Sequence, residues 1–348
     1  MTANPQKPRI LWLDAAKGAG IILVVLGHAL GGLIDSILGS NFDLGRRAFF
    51  AVYTFHMPLF LMLSGMLVAN RINANPAGFR RSLLTSIVWP YFLWSVIQFS
   101  IIYQLGSLVN QPVTNYEGTI LSLPWHTVSQ FWFLYALFLL HLLALVSLRS
   151  LGTAAFMLVC LALKPFALIL PLPEVLHLAA NQAPYYGIGV CLGQAGVAGV
   201  VVDRPRWVRG IALPIVAVGL ISLALNSANG FDPALAVQTA KAAGIANLAW
   251  HLEVLPAALT GAFAVIGLAS LAGHGLASML GYLGQRTMPI FVLHIMAIAG
   301  SRIELIKFAH ASNVWLVLAV TVVVGLISPL LADLVLRRLK LSRALGLG

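Results

Sequence analysis

Runs of about 20 apolar residues, the length that crosses a bilayer as a helix, recur along the chain and constrain its fold more than any other feature. They lie near residues 11–37, 49–69, 82–105, 131–148, 151–170, 185–202, 208–225, 252–271, 288–309 and 314–336. Lipid offers no water to peptide N–H and C=O groups, so each run must satisfy its own backbone as a helix. The expectation is an all-α, polytopic integral membrane helix bundle of about ten transmembrane helices, one domain over residues 1–348. Composition agrees: 9% of residues are charged, where soluble domains carry roughly 25%. Lys7 and Arg9 ahead of the first run imitate a secretory leader. That run is long, is interrupted by Asp14 and Lys17, and has further runs behind it, so it reads as a retained span.

The net charge of +11 raises the question of nucleic acid. The basic residues, however, form short clusters between apolar runs, as membrane orientation requires, and no phosphate-tracking stripe is present. With the N-terminus in the cytoplasm, the inner segments hold Lys7, Arg9, Lys17, Arg71, Arg80, Arg81, Arg149, Arg204, Arg206, Arg209, Arg286, Arg337, Arg338, Lys340 and Arg343. The outer segments hold only Arg46, Arg47, Lys241, Arg302 and Lys307, and Lys164 falls inside a run. That asymmetry predicts both termini in the cytoplasm and an even number of spans. Cys160 and Cys191 both lie in apolar runs, and no disulfide framework is expected.

The first span, LWLDAAKGAGIILVVLGHALGGL, carries Asp14, Lys17 and His28. At 100° per residue, Lys17 lies about 60° and His28 about 40° around the helix from Asp14, so the three share one narrow face. Ionisable groups within a span are costly unless they face a protein interior or a wet cavity. A titratable imidazole there points to proton chemistry inside the membrane. Asp14 and Lys17, three residues apart, can also pair with each other as an interfacial ion pair. His28 lies about 15 Å below the outer boundary, and His56, on the returning span, about 10 Å below it. The two imidazoles can therefore face one pocket. Each also has an ordinary reading as a buried histidine bonded to a neighbouring helix, and for His56 the carbonyl of Thr54, freed by Pro58, is a ready partner.

Other polar residues divide similarly. Ser64-Gly65 suits close helix packing. Arg80 and Arg81, where the chain enters its third span, suit phosphate recognition or simple orientation. Arg286 precedes the ninth span, and His294 lies about two turns into it and reads as a core histidine. Glu304 has Arg302 and Lys307 as ready partners, while Lys164 requires a partner that the sequence does not name. No metal set is expected: the nine histidines lack zinc spacing, and HExxH, a Walker loop, a dinucleotide fingerprint and GxSxG are all absent.

Four motifs then occur in order: LDAAKGAGIILVVLGHA (Leu13 to Ala29), FHMPLFLMLSGML (Phe55 to Leu67), FWFLYALF (Phe131 to Phe138) and LGQRTMPIFVLH (Leu283 to His294). Together they resemble acyltransferase family 3, the multi-pass membrane acyltransferases, and within it the fucose 4-O-acetylase-like branch. The resemblance runs from about residue 9 to 336. It implies an inner (plasma) membrane enzyme that moves an acyl group, usually acetyl, from cytoplasmic acyl-CoA to a hydroxyl. The acceptor implied is a carbohydrate or lipid-linked glycan precursor on the extracytoplasmic side, and the donor substrate is acetyl-CoA. His28 matches the family's essential histidine, as base or acyl carrier, with Asp14 and His56 as its companions. Asp14 and Lys17 match an Asp-x-x-Arg-Gly start in which Lys replaces the commoner Arg. Lys17, Arg80, Arg81 and Arg286 are the candidates for the CoA phosphates. Many relatives carry two arginines three apart near the third span, whereas Arg80 and Arg81 are adjacent. An imidazole suits this chemistry, because a sugar hydroxyl needs a base with a pKa near ambient pH. The rival from another class is a secondary transporter, or a lipid or glycan exporter, with an intramembrane Asp/Lys/His path. Paired halves with interrupted helices would mark a transporter, and no such duplication is evident.

Overall fold

Helices account for all the regular structure among the described residues, which are 10–203, 205–228 and 246–347 in this computed structural model. Lys7, Arg9, Arg204 and Lys241, counted above for orientation, lie outside them. The helices are α1 (Leu11–Ile34), α2 (Asp43–Ala74), α3 (Pro76–Leu83), α4 (Trp89–Leu105), α5 (Tyr116–Ser122), α6 (Trp132–Ile169) and α7 (Glu174–Gln194). They continue with α8 (Val197–Asp203), α9 (Pro205–Ala228), α10 (Ala246–Leu271), α11 (His274–Gly284), α12 (Thr287–Ile303) and α13 (Val314–Arg338). A π-turn over Leu84–Val88 joins α3 to α4. Six helical stretches among the described residues are long and apolar enough to cross a membrane, and shorter apolar helices accompany them.

One of the six, Ser129–Ala167, is folded back on itself. Gly152 has φ 73° and ψ 170°, a conformation open to glycine and strained for other residues. A straight helix would set His141 and Phe156 about 22 Å apart. Yet the rings of both lie against Tyr186 of α7, at 5.5 and 6.4 Å between centroids. The chain therefore reverses at Gly152, at the very start of the run expected at 151–170, so that the runs 131–148 and 151–170 form its two arms. The run expected at 185–202 differs from what forms. Its helix starts earlier, at Glu174 just behind Pro173, whose fixed φ suits a helix entrance, and it stops before Gly196, which has φ 70°. The short helix α11 was not among the expected runs.

Three contacts fix what surrounds α1. Helix α2 returns antiparallel to it, with Phe49 beside Gly31, Tyr53 beside Gly27 and Phe60 beside Gly20. Helix α11 crosses its beginning backbone to backbone: a Cβ at Gly18 would strike the Leu280 carbonyl, and one at Gly284 the Asp14 carbonyl. Glycine is needed at both positions because the crossing leaves no room for a side chain. Helix α12 runs alongside α1, with α13 antiparallel behind it, where Gly325 meets Ile298 and Val25. Gly65 likewise lies against the Tyr186 carbonyl of α7, as close packing predicts.

Candidate active site

The polar centre of the bundle lies where α1, α2 and α12 meet. Tyr53 Oη and His28 Nδ1 are 3.1 Å apart. The Tyr53 ring meets His28 edge-on at 5.7 Å and His56 at 4.8 Å. From α12, the His294 ring lies 5.0 Å from that of His28. The comparable depth of His28 and His56 thus resolves into a contiguous group, His28–Tyr53–His56, with His294 on its other flank. His56 and His294 are buried, whereas His28 retains partial exposure.

Backbone carbonyls settle the tautomers of the two buried imidazoles. His56 Nδ1 lies 2.7 Å from the Val52 carbonyl, and His294 Nδ1 lies 2.7 and 3.0 Å from the Phe291 and Ile290 carbonyls. A carbonyl only accepts, so both Nδ1 atoms carry hydrogen and both Nε2 atoms present lone pairs. His294 Nε2 is buried and has no partner among the described residues. The core-histidine reading of His294 therefore holds for one nitrogen and fails for the other. His56 reaches Val52 rather than the carbonyl of Thr54, whose own hydroxyl donates to Phe50 at 2.9 Å.

The remaining expected residues lie away from this centre. Asp14 Oδ1 is 3.6 Å from Lys17 Nζ, and Asp14 Oδ2 accepts from Gln285 at 3.5 Å. Fourteen residues of helix, about 21 Å, separate Asp14 from His28; a shared face is not a shared site. Lys17 instead lines a cavity of about 180 Å³ together with Ile21, Phe60, Ser64, Thr287 and Phe291. One of its walls, Phe291, also packs against His294, the two rings being 6.1 Å apart. Arg80 and Arg81 are exposed on α3. Arg286 is committed elsewhere: it stacks on the Tyr282 ring at 3.7 Å and lies 3.7 Å from buried Asp333, which Arg337 also engages at 2.7 Å. Lys164 finds its partner in Asn181, whose side-chain oxygen accepts at 2.6 Å. Glu304 makes no ion pair with Arg302 or Lys307; Lys307 donates to the Ser107 carbonyl at 3.0 Å.

The model of the acyltransferase-3 family, described as an acyltransferase domain, matches residues 10–333. The chain belongs to the acyltransferase-3 family. A similar protein is nodulation protein NolL of Mesorhizobium japonicum (strain LMG 29417 / CECT 9101 / MAFF 303099). It is 28% identical over 221 residues, which cover 60% of this chain and 55% of NolL. The chain thus spans about half the length of that relative. No solved structure matches it. Three residues that the sequence did not single out as site candidates lie on the helices that carry the histidines, Tyr53 and Arg71 on α2 and Arg302 on α12. Tyr53 was findable as the residue three before His56, on the same helical face. Arg71, two turns beyond cavity-lining Ser64 on α2, donates to Ser82 at 3.2 Å and lies over Phe79. The third, Arg302, comes from the outer-loop inventory and lies beside Gly32 of α1. Among the described residues, no group of three or more His, Cys, Asp or Glu side chains is placed to hold a metal.

Proposed function

We propose that the protein is an acyl-CoA-dependent O-acetyltransferase that acylates a hydroxyl of a carbohydrate or lipid-linked glycan, with His28 as the base that activates the acceptor. The observation that carries this reading is the placement of His28: partly exposed, hydrogen-bonded through Nδ1 to Tyr53, and in ring contact with His294 of α12, the helix whose Phe291 lines the Lys17 cavity. For Nε2 to take a proton, Nδ1 must hold one and donate it to the Tyr53 oxygen. Nε2 then accepts the hydroxyl proton as the acceptor oxygen attacks the thioester carbonyl. The C–S bond breaks, CoA leaves as a thiolate, and the proton on His28 returns to that sulfur or to water. Acylation of His28 itself, followed by transfer, uses the same geometry.

Both ends of the bundle support a two-sided reading. The basic-residue asymmetry favours a cytoplasmic Lys17 end, as in a bundle of ten spans with both termini cytoplasmic. There Lys17, Arg71, Arg80 and Arg81 offer charges to the CoA phosphates, while Arg286 contributes by holding α12 against α13. The cavity volume of about 180 Å³ compares with the ~150 Å³ that admits a benzene-sized guest, room for an acetyl thioester. Incubating the purified protein with acetyl-CoA labelled in the acetyl group tests the reading. Label on a glycan or lipid-glycan fraction with stoichiometric CoA release supports it. Proton- or substrate-driven uptake into vesicles, with no CoA release, would establish the transporter alternative.

A further inference from the structure

Arg302 is 7% exposed. Among the described residues its guanidinium makes no hydrogen bond and no ion pair within 4.0 Å of any carboxylate; the acidic group whose field acts on it is Asp35, beyond that distance. A charge buried with no bonded counter-charge is costly, because it has given up its water without gaining a partner. A buried guanidinium with no bonded partner, and only Asp35 at longer range, therefore has its donors free for a further anion.

Its position says what it faces. Side chains on a helix lean towards its N-terminus, so Arg302, near the end of α12, reaches back along the helix in the direction of His294. Its guanidinium rests on Gly32, where a Cβ would collide with Nη1. Gly32 is one turn, about 6 Å, beyond His28 on α1. The Gly32 carbonyl accepts from Asn110, at 3.1 Å, so a loop residue closes over the same spot. The donor cavity lies on the other side of the histidines, bounded by Lys17, Thr287 and Phe291. Arg302 thus stands on the acceptor's side of His28, one turn from the reacting atoms, with five donors in a fork suited to a carboxylate or phosphate.

We propose that Arg302 is an acceptor-binding residue, and that the acceptor is held by an anionic group, a phosphate or a carboxylate, bound against the Gly32 backbone. The inference rests on the acyl-transfer reading for its choice of acceptor over donor, but its test does not need turnover. The full chain in nanodiscs is titrated with two labelled probes: a polyprenyl phosphate, and an oligosaccharide of hexuronic acid with its reduced, uncharged counterpart as control. Wild type is compared with Arg302→Gln, Arg302→Lys and Gly32→Ala. The last leaves the arginine in place and displaces its guanidinium, a mild change because the obstructing atom is the end of a flexible side chain.

The expected result is at least a tenfold loss of affinity for one anionic probe in both Arg302→Gln and Gly32→Ala, partial retention in Arg302→Lys, and no change for the uncharged oligosaccharide. Loss for the polyprenyl phosphate assigns the anion to a lipid-linked acceptor, and loss for the hexuronate assigns it to an acidic sugar. Equal affinities in wild type and Arg302→Gln for both anionic probes, with melting temperatures unchanged, would overturn the proposal. A parallel measurement of CoA release separates the two layers. If wild type releases no CoA from acetyl-CoA yet binds an anionic probe through Arg302, the acyl-transfer reading fails and the anion site stands.

Discussion

Replacing Tyr53 by phenylalanine isolates one atom of the proposed mechanism. The ring packs against Phe49 at 4.1 Å, His56 at 4.8 Å and His28 at 5.7 Å between centroids, and phenylalanine keeps all three contacts. What disappears is the hydroxyl 3.1 Å from His28 Nδ1. In the resting state that bond joins two neutral groups and contributes about 0.5–1.5 kcal/mol. As His28 takes up the acceptor's proton, its Nδ1–H becomes the donor of a cation, and such bonds contribute about 1.5–3 kcal/mol. Only an interaction stronger in the transition state accelerates the step, so Tyr53 acts on kcat. The excess is about 1–1.5 kcal/mol, so at 1.36 kcal/mol per tenfold Tyr53→Phe should lower kcat by about 5- to 13-fold while the KM for acetyl-CoA stays within about twofold. The assay is thiol-reagent detection of CoA released by membrane vesicles that retain the endogenous acceptor, with thermal unfolding of the purified protein as the control. A Tyr53→Phe protein with wild-type kcat, or one whose loss lies wholly in KM, would refute the role assigned to this bond.

His28→Ala and His28→Asn should each reduce transfer by roughly 10²–10⁴-fold, as for a missing general base, with the protein still inserted and folded; near-normal acetyl transfer in either would shift the role to His294 or His56. Arg80→Ala/Arg81→Ala should raise the KM for acetyl-CoA with little change in kcat, as expected when ground-state binding is lost, and unchanged donor kinetics would remove both from the CoA site. Arg286→Ala should behave differently, lowering the melting temperature because Asp333 loses one of its two arginines, and leaving the KM for acetyl-CoA unaffected; a KM effect without destabilisation would return Arg286 to the donor site. In a background without Cys160 and Cys191, a cysteine at Tyr116 should be labelled by an impermeant reagent on intact cells and one at Arg71 should not, and the reverse pattern would invert the topology.

Much of the fold is legible in the sequence because lipid leaves a backbone so few options: an apolar run of sufficient length must be helical, and the described runs are. What periodicity could not supply was contact between helices. It placed Asp14, Lys17 and His28 on one face, correctly, but a face 21 Å long holds two environments, an ion pair at one end and an imidazole at the other. Pairing was equally invisible. Arg286 looked free because its partner Asp333 is 47 positions away in the chain, and Lys164 asked for a partner that turned out to be a neutral amide, Asn181. The reversal at Gly152 and the glycine crossing of α1 with α11 needed the third dimension as well, since a glycine that makes room for a neighbouring backbone looks like any other glycine in an apolar run.

The unpartnered polar groups give the strongest link between this fold and chemistry. A helix bundle in lipid gains little from burying apolar surface against other helices and is held by packing and satisfied polar contacts, so charges are normally matched. Here Asp14 has Lys17, Asp333 has two arginines, Lys164 has Asn181, and Glu174 pairs with His126 and accepts from Thr127. Isolated neutral atoms such as Ser95 Oγ and Gln182 Oε1 are left over elsewhere. Around His28 the pattern changes in kind: the Nε2 lone pair of His294 has no donor, and the guanidinium of Arg302 has no counter-charge within pairing distance. One group lacks a proton to accept and the other lacks an anion to hold. A hydroxyl that carries a negative group nearby would satisfy both at once, placing its O–H among the histidines and its charge one turn away at Arg302. Supplying such an acceptor should therefore raise the melting temperature of wild type, by ligand linkage, and raise it less in Arg302→Gln. Equal shifts in the two proteins would show that the unmatched groups around His28 are not completed by the acceptor.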